Sequence, residues 1–428
     1  MSLINHIVIL IIGTSKLQVY GGISLRNITV EEFRASCAAA QQLEIVERKG
    51  MGHPDSICDA VMDNISVRLS EEYLQEFGEI LHHNIDKCLL VAGEVTGIFG
   101  GGMVTHPMLL VIGDRATFSA EGKDIDVNSI AVDTAGRWFD ENLRFVEPEF
   151  LDYQVELKPG SAELTDIFRR KEKILGSNDT SAAVGYAPLS FTEKMVLDTE
   201  KYLNSPDFKE KYPESGEDIK VMGVRKGSNL DLTVAMPVVD RFLDSEEHYF
   251  RVKEDLTDAI NVFMADYVEQ KEVSMDVTFS LNNLDMPGRG MNGIYTTVTG
   301  TSAEDADCGQ VGRGNRVNGI IPLNRPVSSE AAAGKNPVSH VGKIYNALSH
   351  RIADRIYTNV PDVEEAYVWL LSDIGVSIDQ PKVAAAQIIM KKGNVESVQD
   401  EVTEVIDREL ENIGEFTMEL ARGMVPLY

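Results

Sequence analysis

The sequence predicts a mixed α/β fold, and three observations carry that expectation. Helical and strand patterns interleave along the whole chain instead of falling into separate blocks, the arrangement expected of α/β units. At 428 residues the chain exceeds the size at which one core stops growing, so two or three core units are expected. Its 43% hydrophobic and 25% charged residues are ordinary for a soluble globular protein. No tandem repeat or low-complexity tract stands out.

The elements follow in chain order. An apolar run from Ile7 to Ile12 lacks a basic flank and a small-residue cleavage site, so it makes a poor signal peptide. It is also too short to span a bilayer, and a cytoplasmic protein is expected. Ile57, Val61, Ile65, Leu69, Tyr73 and Phe77 recur every four residues and predict an amphipathic helix. Pro54 suits its first turn and Gly78 its C-terminal cap. Residues 89–95 and 108–112 read as buried strands. Residues 221–224 and 230–235 read as a hairpin, and 275–281 with 294–299 as a second strand pair. Ile344, Leu348, Ile352 and Ile356 mark another helix. Residues 367–371 are a further strand.

Charge is distributed unevenly. The chain carries −28, yet residues 312–343, GRGNRVNGIIPLNRPVSSEAAAGKNPVSHVGK, sum to +4. Arg313, Arg316, Arg325, Lys335 and Lys343 face a single acid, Glu330, and glycines at 312, 314, 319 and 334 let backbone approach a polyanion closely. The overall charge argues against general nucleic-acid binding, and the island is too small for a duplex but sufficient for a nucleotide. A solvated loop without a ligand is the other reading. Cys37, Cys58, Cys88 and Cys308 show no metal spacing and read as buried free thiols in a reducing compartment.

A second motif, GHPDSICD, opens the first helix. Asp55, Asp59 and Asp63 stand one turn apart and share a face. They read either as a solvated stripe complementing the helix dipole, or as a site where Asp55 holds magnesium with substrate phosphates. His53, just outside the helix, is then placed to donate to a phosphate or a leaving-group oxygen; it can equally be structural.

GHPDSICD, VAGEVTG, GSNDTSAAVGYAPLS, TGTSAEDADCGQVGRGNRVNG and AAAGKNPVSHVGKIYN occur in this order. The series resembles the S-adenosylmethionine synthetase (methionine adenosyltransferase) family in its archaeal-type branch, from about Arg26 to the C-terminus, leaving residues 1–25 as an extension. The resemblance implies three α/β units related by a pseudo-threefold axis, each a mostly antiparallel sheet covered by helices. They would combine residues 26–50 with 190–302, 51–163 with 303–341, and 164–189 with 342–428. It implies that the sulfur of L-methionine attacks C5′ of ATP in line, followed by hydrolysis of the tripolyphosphate to phosphate and diphosphate. A neutral thioether needs no general base; the demand is for positioning and for neutralising the leaving triphosphate.

By the same resemblance, His53, Arg313 and Lys335 are catalytic and bind ATP, together with Lys158, Pro159, Gly160, Ser161, Ala162, Glu163 and Asp307. Asp179, Gly160 and Asp307 bind methionine, Asp55 holds Mg2+, and Glu94 holds K+. Arg169 to Lys173 falls where the family often has a mobile lid, or is a solvated charged face. Gly314 replaces a second basic residue of the bacterial branch, with Arg316 its substitute, and Lys226 is the nearest candidate for a further lysine. The bacterial second magnesium ligand after GKDP has no counterpart, Ser339, His340 and Val341 occupying that region. A homodimer or larger assembly with active sites between subunits is implied. The alternative is an Mg-ATP-dependent phosphoryl- or nucleotidyltransferase using the same cradle, against which the absence of GxxxxGK[ST] and kinase motifs counts.

Overall fold

The computed structural model describes residues 26–161, 165, 168 and 174–428. Eight α-helices occur among them: α1 (Pro54–Phe77), α2 (Val127–Asn142), α3 (Phe191–Leu203), α4 (Pro206–Lys211), α5 (Glu246–Lys271), α6 (Val341–Asn359), α7 (Gln399–Glu411) and α8 (Ile413–Ala421). The expected caps on α1 are present. His53 is its N-cap, Pro54 opens it, and Gly78 closes it in the left-handed region at φ 74°.

Three sheets repeat one topology. In the first, the hairpin Lys220–Lys226 and Asn229–Ala235 is followed by α5, and Asp276–Leu281 returns parallel to the second strand. In the second, His83–Val91 pairs antiparallel with Met108–Ala116, α2 crosses, and Leu151–Pro159 returns parallel. In the third, Val363–Leu371 pairs antiparallel with Val383–Met390, but no strand follows α8. Ile28–Glu32, from the other end of the chain, takes the parallel place beside Val383–Met390. A further antiparallel strand flanks each first strand: Leu43–Lys49, Gly309–Gln310 and Ala182–Ala187 respectively.

Each sheet buries one face under helices, giving three apolar cores. The α1 residues Ile57, Val61, Ile65 and Leu69 pack with Leu90, Leu110 and Ile112 of the second sheet. The alternation along His83–Val91 leaves Leu89 43% exposed on the other face, as expected of a sheet covered by helices on one side.

Three expectations are corrected. Residues 275–281 and 294–299 do not pair: Asp276–Leu281 joins Asn229–Ala235, and Thr296–Thr297 joins Val238–Val239. Only Cys58 and Cys88 are buried thiols, Cys37 being half-buried and Cys308 exposed. Finally, the aspartates of α1 are not a solvated stripe. Asp55, Asp59 and Asp63 are all buried, turned toward the basic island.

Candidate active site

The first turns of α1 are clamped onto the island. Gln310 N donates to Asp55 Oδ1 at 2.9 Å and Gly312 N to Asp59 Oδ1 at 2.8 Å. One turn on, Lys343 Nζ donates to Asp63 Oδ1 at 2.7 Å. Burial, against the hydrogen bond from Gly312, pushes the Asp59 carboxyl up to about 7. A Cβ at Gly314 would overlap Asp59 Oδ2, and one at Gly309 would overlap the Pro54 carbonyl oxygen, so glycine is required for this approach.

His53 is buried as the N-cap, and its Nδ1 accepts from Asp55 N at 3.2 Å. The other ring nitrogen, Nε2, therefore carries the proton. Burial first, then the charge of Lys49, lowers its pKa to about 4 against an opposing Asp55, with Lys220 adding to the lowering. A neutral imidazole with Nε2 as its donor is the result.

The basic residues sort into two groups. Arg325 is structural: it bonds Glu193 of α3 at 2.9 Å and also Glu365 of the third sheet, stacking over Tyr186. Lys343 is bound to Asp63. Arg313 is exposed and Arg316 half-buried, with Arg316 Nε finding no partner among the described residues. Lys335 is 3% exposed, its Nζ 2.5 Å from Asp86 Oδ2 and 3.2 Å from Glu330 Oε2. Lys335, Asp86, Gln310 and Glu330 line an open hollow of about 500 Å³ against the second sheet. Through Gln310 this hollow adjoins Asp55.

Several residues of the site were not legible as sequence motifs. Lys49 Nζ joins Asp55 Oδ2 at 2.9 Å to the Arg313 carbonyl oxygen at 2.8 Å. Lys220, rather than Lys226, acts electrostatically on His53, since Lys226 pairs with Asn229 at the far tip of the hairpin. Asp218 is buried beside Ser302, and burial pushes its carboxyl up to about 6, with Asp307 contributing.

The remaining expected residues are placed as follows. Asp179 lies beside the start of α6: Asn178 N donates to the Ser339 carbonyl oxygen at 3.2 Å. His340, the α6 N-cap, sits between these groups; burial first, then Lys335, lowers its pKa to about 3, against Asp86 and Asp179. Lys158 is 58% exposed and 3.3 Å from Glu156, next to Pro159 at the strand end. A Cβ at Gly160 would meet His82 Nδ1 at 2.5 Å, and the exposed Ser161 accepts from Thr165. Asp307 is exposed. Glu94 is 72% exposed, 2.8 Å from His106 Nδ1. Ala162, Glu163 and the 169–173 run lie outside the described residues.

Among the described residues, no three His, Cys, Asp or Glu side chains converge as a metal site, and no helix is long and apolar enough to cross a membrane.

A hollow that sets a buried lysine against carboxylates, adjoining through Gln310 the Asp55 turn that His53 caps, is the equipment of a group-transfer enzyme. The family model of S-adenosylmethionine synthetase (AdoMet synthetase) matches residues 26–424, and the chain belongs to that family. The chain is 43% identical to a probable S-adenosylmethionine synthase of Aquifex aeolicus, across 91% of this chain and 97% of that one. It is 44% identical to the S-adenosylmethionine synthase of Pyrobaculum neutrophilum, across 94% and 100%. With that of Methanothermobacter thermautotrophicus the identity is 43%, across 94% and 99%. The fold is similar to an S-adenosylmethionine synthetase from Campylobacter jejuni, with a TM-score of 0.57 at 16% identity, covering 90% of this chain and 95% of that one. Its activity is that of an S-adenosylmethionine synthase, a methionine adenosyltransferase.

Proposed function

We propose that the hollow beside Lys335 receives the triphosphate of ATP, and that L-methionine attacks C5′ from the side of Asp179 and Asp307. The observation that carries this reading is the docking of the basic island on the acidic face of α1. It sets the backbone of Gln310, Gly312 and Arg313 against Asp55, Asp59 and Lys49, close in the chain to His53. The sulfur needs no base. His53 donates its Nε2 proton as a hydrogen bond to the departing oxygen, while Arg313, with Arg316 beside it, and Lys335 take up phosphate charge. A guanidinium suits two phosphate oxygens at once. Lys49 and Lys220 add positive potential around the same oxygen. Lys158, Pro159, Gly160 and Ser161, with Ala162 and Glu163, would border the ATP.

Magnesium fits Asp55 only in company with substrate. Both Asp55 oxygens already accept hydrogen bonds, from Gln310 and Lys49, and no further carboxylate converges on them among the described residues. A hard cation that takes one or two carboxylates plus phosphate oxygens suits such a donor set. When bound there it would neutralise the triphosphate as it leaves. Lys49 would hand Asp55 over and turn to phosphate. Potassium at Glu94 is part of the proposal, with His106 in its place here.

We place the three repeats about a pseudo-threefold axis, with units 26–50 and 190–302, 51–163 and 303–341, and 164–189 and 342–428. Strand Ile28–Glu32 is then lent by the first unit to the third. The uncovered sheet faces would meet in a homodimer or larger assembly with sites between subunits, in the reducing cytoplasm. Purified protein given ATP, methionine and Mg2+ should form S-adenosylmethionine with equal amounts of phosphate and diphosphate. A phosphorylated or adenylylated acceptor in place of the sulfonium would reject this reading.

A further inference from the structure

The Lys335 ammonium stands between two carboxylates in unlike settings. Asp86 is built into the wall of the hollow. Its side chain is 8% exposed, and it accepts from Asn84 Nδ2 at 3.2 Å as well as from Lys87. Its strand is tied to the lysine by backbone: Ile85 N donates to the Gly334 carbonyl oxygen at 2.9 Å, and Asn84 bridges Lys335 antiparallel. The register that sets Asp86 against Lys335 is therefore fixed by main chain. Glu330 differs in every respect. Its side chain is 37% exposed, on a segment without regular structure, and its carboxylate meets Lys335 alone among the described residues.

We propose that Asp86 is a positioning residue that fixes the Lys335 ammonium in the hollow, while Glu330 is an exchangeable counter-ion that phosphate oxygens displace. The proposal rests on the reading of Lys335 as a triphosphate ligand. A buried ammonium stripped of its fixed partner is strongly unfavourable, so one carboxylate must stay throughout. The other contact is exposed and weak, so phosphate replaces it at small cost and the lysine keeps its hydrogen bonds. Glu330, the single acid of the basic island, then stands where a phosphate oxygen goes.

The surroundings agree with a fixed Asp86. Burial opposes its ionisation, yet Lys335, Asp114 and Lys87 together hold its carboxyl well below the usual range. Asp114, sharing the Asn84 amide at 3.1 Å, is pushed up to about 6 by burial first and then by Asp86, with Lys87 opposing. His340 faces the same group from the start of α6 and is neutral.

Inorganic tripolyphosphate with Mg2+ is the probe, titrated calorimetrically into wild type, Glu330→Gln, Asp86→Asn and Lys335→Met, with melting curves confirming the fold. Glu330→Gln should bind about two- to fivefold tighter, the scale of a lost exposed ion pair. Asp86→Asn should bind at least about tenfold weaker, and Asp86→Glu should fall between. In turnover, the Asp86 variants should raise the KM for ATP but not that for methionine. Glu330→Gln binding no tighter than wild type overturns the exchange. Wild-type binding by Asp86→Asn, or by Asp86→Glu should the first variant not fold, overturns the positioning role. Wild-type binding by Lys335→Met would instead remove Lys335 from the triphosphate site, a failure of the underlying reading and distinguishable from the other two.

Discussion

His53 shows how one residue acquires a function from its position. As an N-cap it gives its Nδ1 to the Asp55 amide, a role usually taken by Ser, Thr, Asp or Asn. That choice leaves the proton on Nε2 and, with burial and Lys49, keeps the ring neutral down to about pH 4. A neutral donor stabilises an oxygen that gains charge without needing to be protonated first. His53→Ala should lower kcat by about 10²–10³-fold, the scale of a lost donor at a developing charge. The sign of the pH effect follows from a depressed pKa. Protonation falls on Nδ1 and removes the acceptor that orients the ring against Asp55 N, so the wild-type advantage over the variant is present well above pH 4 and is lost as pH falls through about 4. Steady-state kcat of both proteins against pH checks this. A ratio that breaks near the ordinary histidine value would contradict the neutral donor.

At the scale of elements, the site is an interface between α1 and a loop of irregular backbone. Three carboxylates spaced by one turn meet Gln310 N and Gly312 N of the loop and Lys343 Nζ of the first turn of α6. The contact is too close for a side chain at Gly314, where a Cβ would overlap Asp59 Oδ2. Gly314→Ala should therefore push the loop bearing Arg313 outward. The expectation is a loss of activity of about tenfold or more with only about 1–2 kcal/mol of stability lost, since no buried core is disturbed. Denaturant midpoints and kcat/KM measured together test this, and stability falling as far as activity would contradict it.

The helices and most strands were readable because their apolar periodicity is local: α1, with its Pro54 and Gly78 boundaries, is the clearest case. The pairing of 275–281 was not, because a parallel partner across α5 leaves no mark on the strand's own pattern. The site was legible through GHPDSICD and the charge reversal of the island. Which island residues are structural was not: Arg325 and Lys343 look like Arg313 and Lys335 in sequence, and only the fold ties Arg325 to Glu193 and Glu365 and Lys343 to Asp63 while leaving Lys335 on the wall of the hollow. Asp86 and Lys220 carried no signal, being charged residues in ordinary strands.

At the scale of the whole molecule, the candidate site draws on nearly the full chain. The second repeat supplies α1 and the hollow, while Lys49, Asp218 and Lys220 come from the first sheet and its approach. Asp179 and His340 come from beside the third. Arg325 ties α3 to the third sheet through Glu193 and Glu365, and Arg26 anchors the N-terminal strand through Asp379 and Asp407. The proposed triphosphate cradle would thus be a product of how three repeats are fastened together. A crystal structure of the protein with a non-hydrolysable ATP analogue, methionine and Mg2+ tests this most directly. The account predicts phosphate oxygens on Arg313 and Lys335, with the bridging oxygen at C5′ facing His53 Nε2. Phosphates bound away from the hollow, with Arg313 and Lys335 free of them, would contradict it.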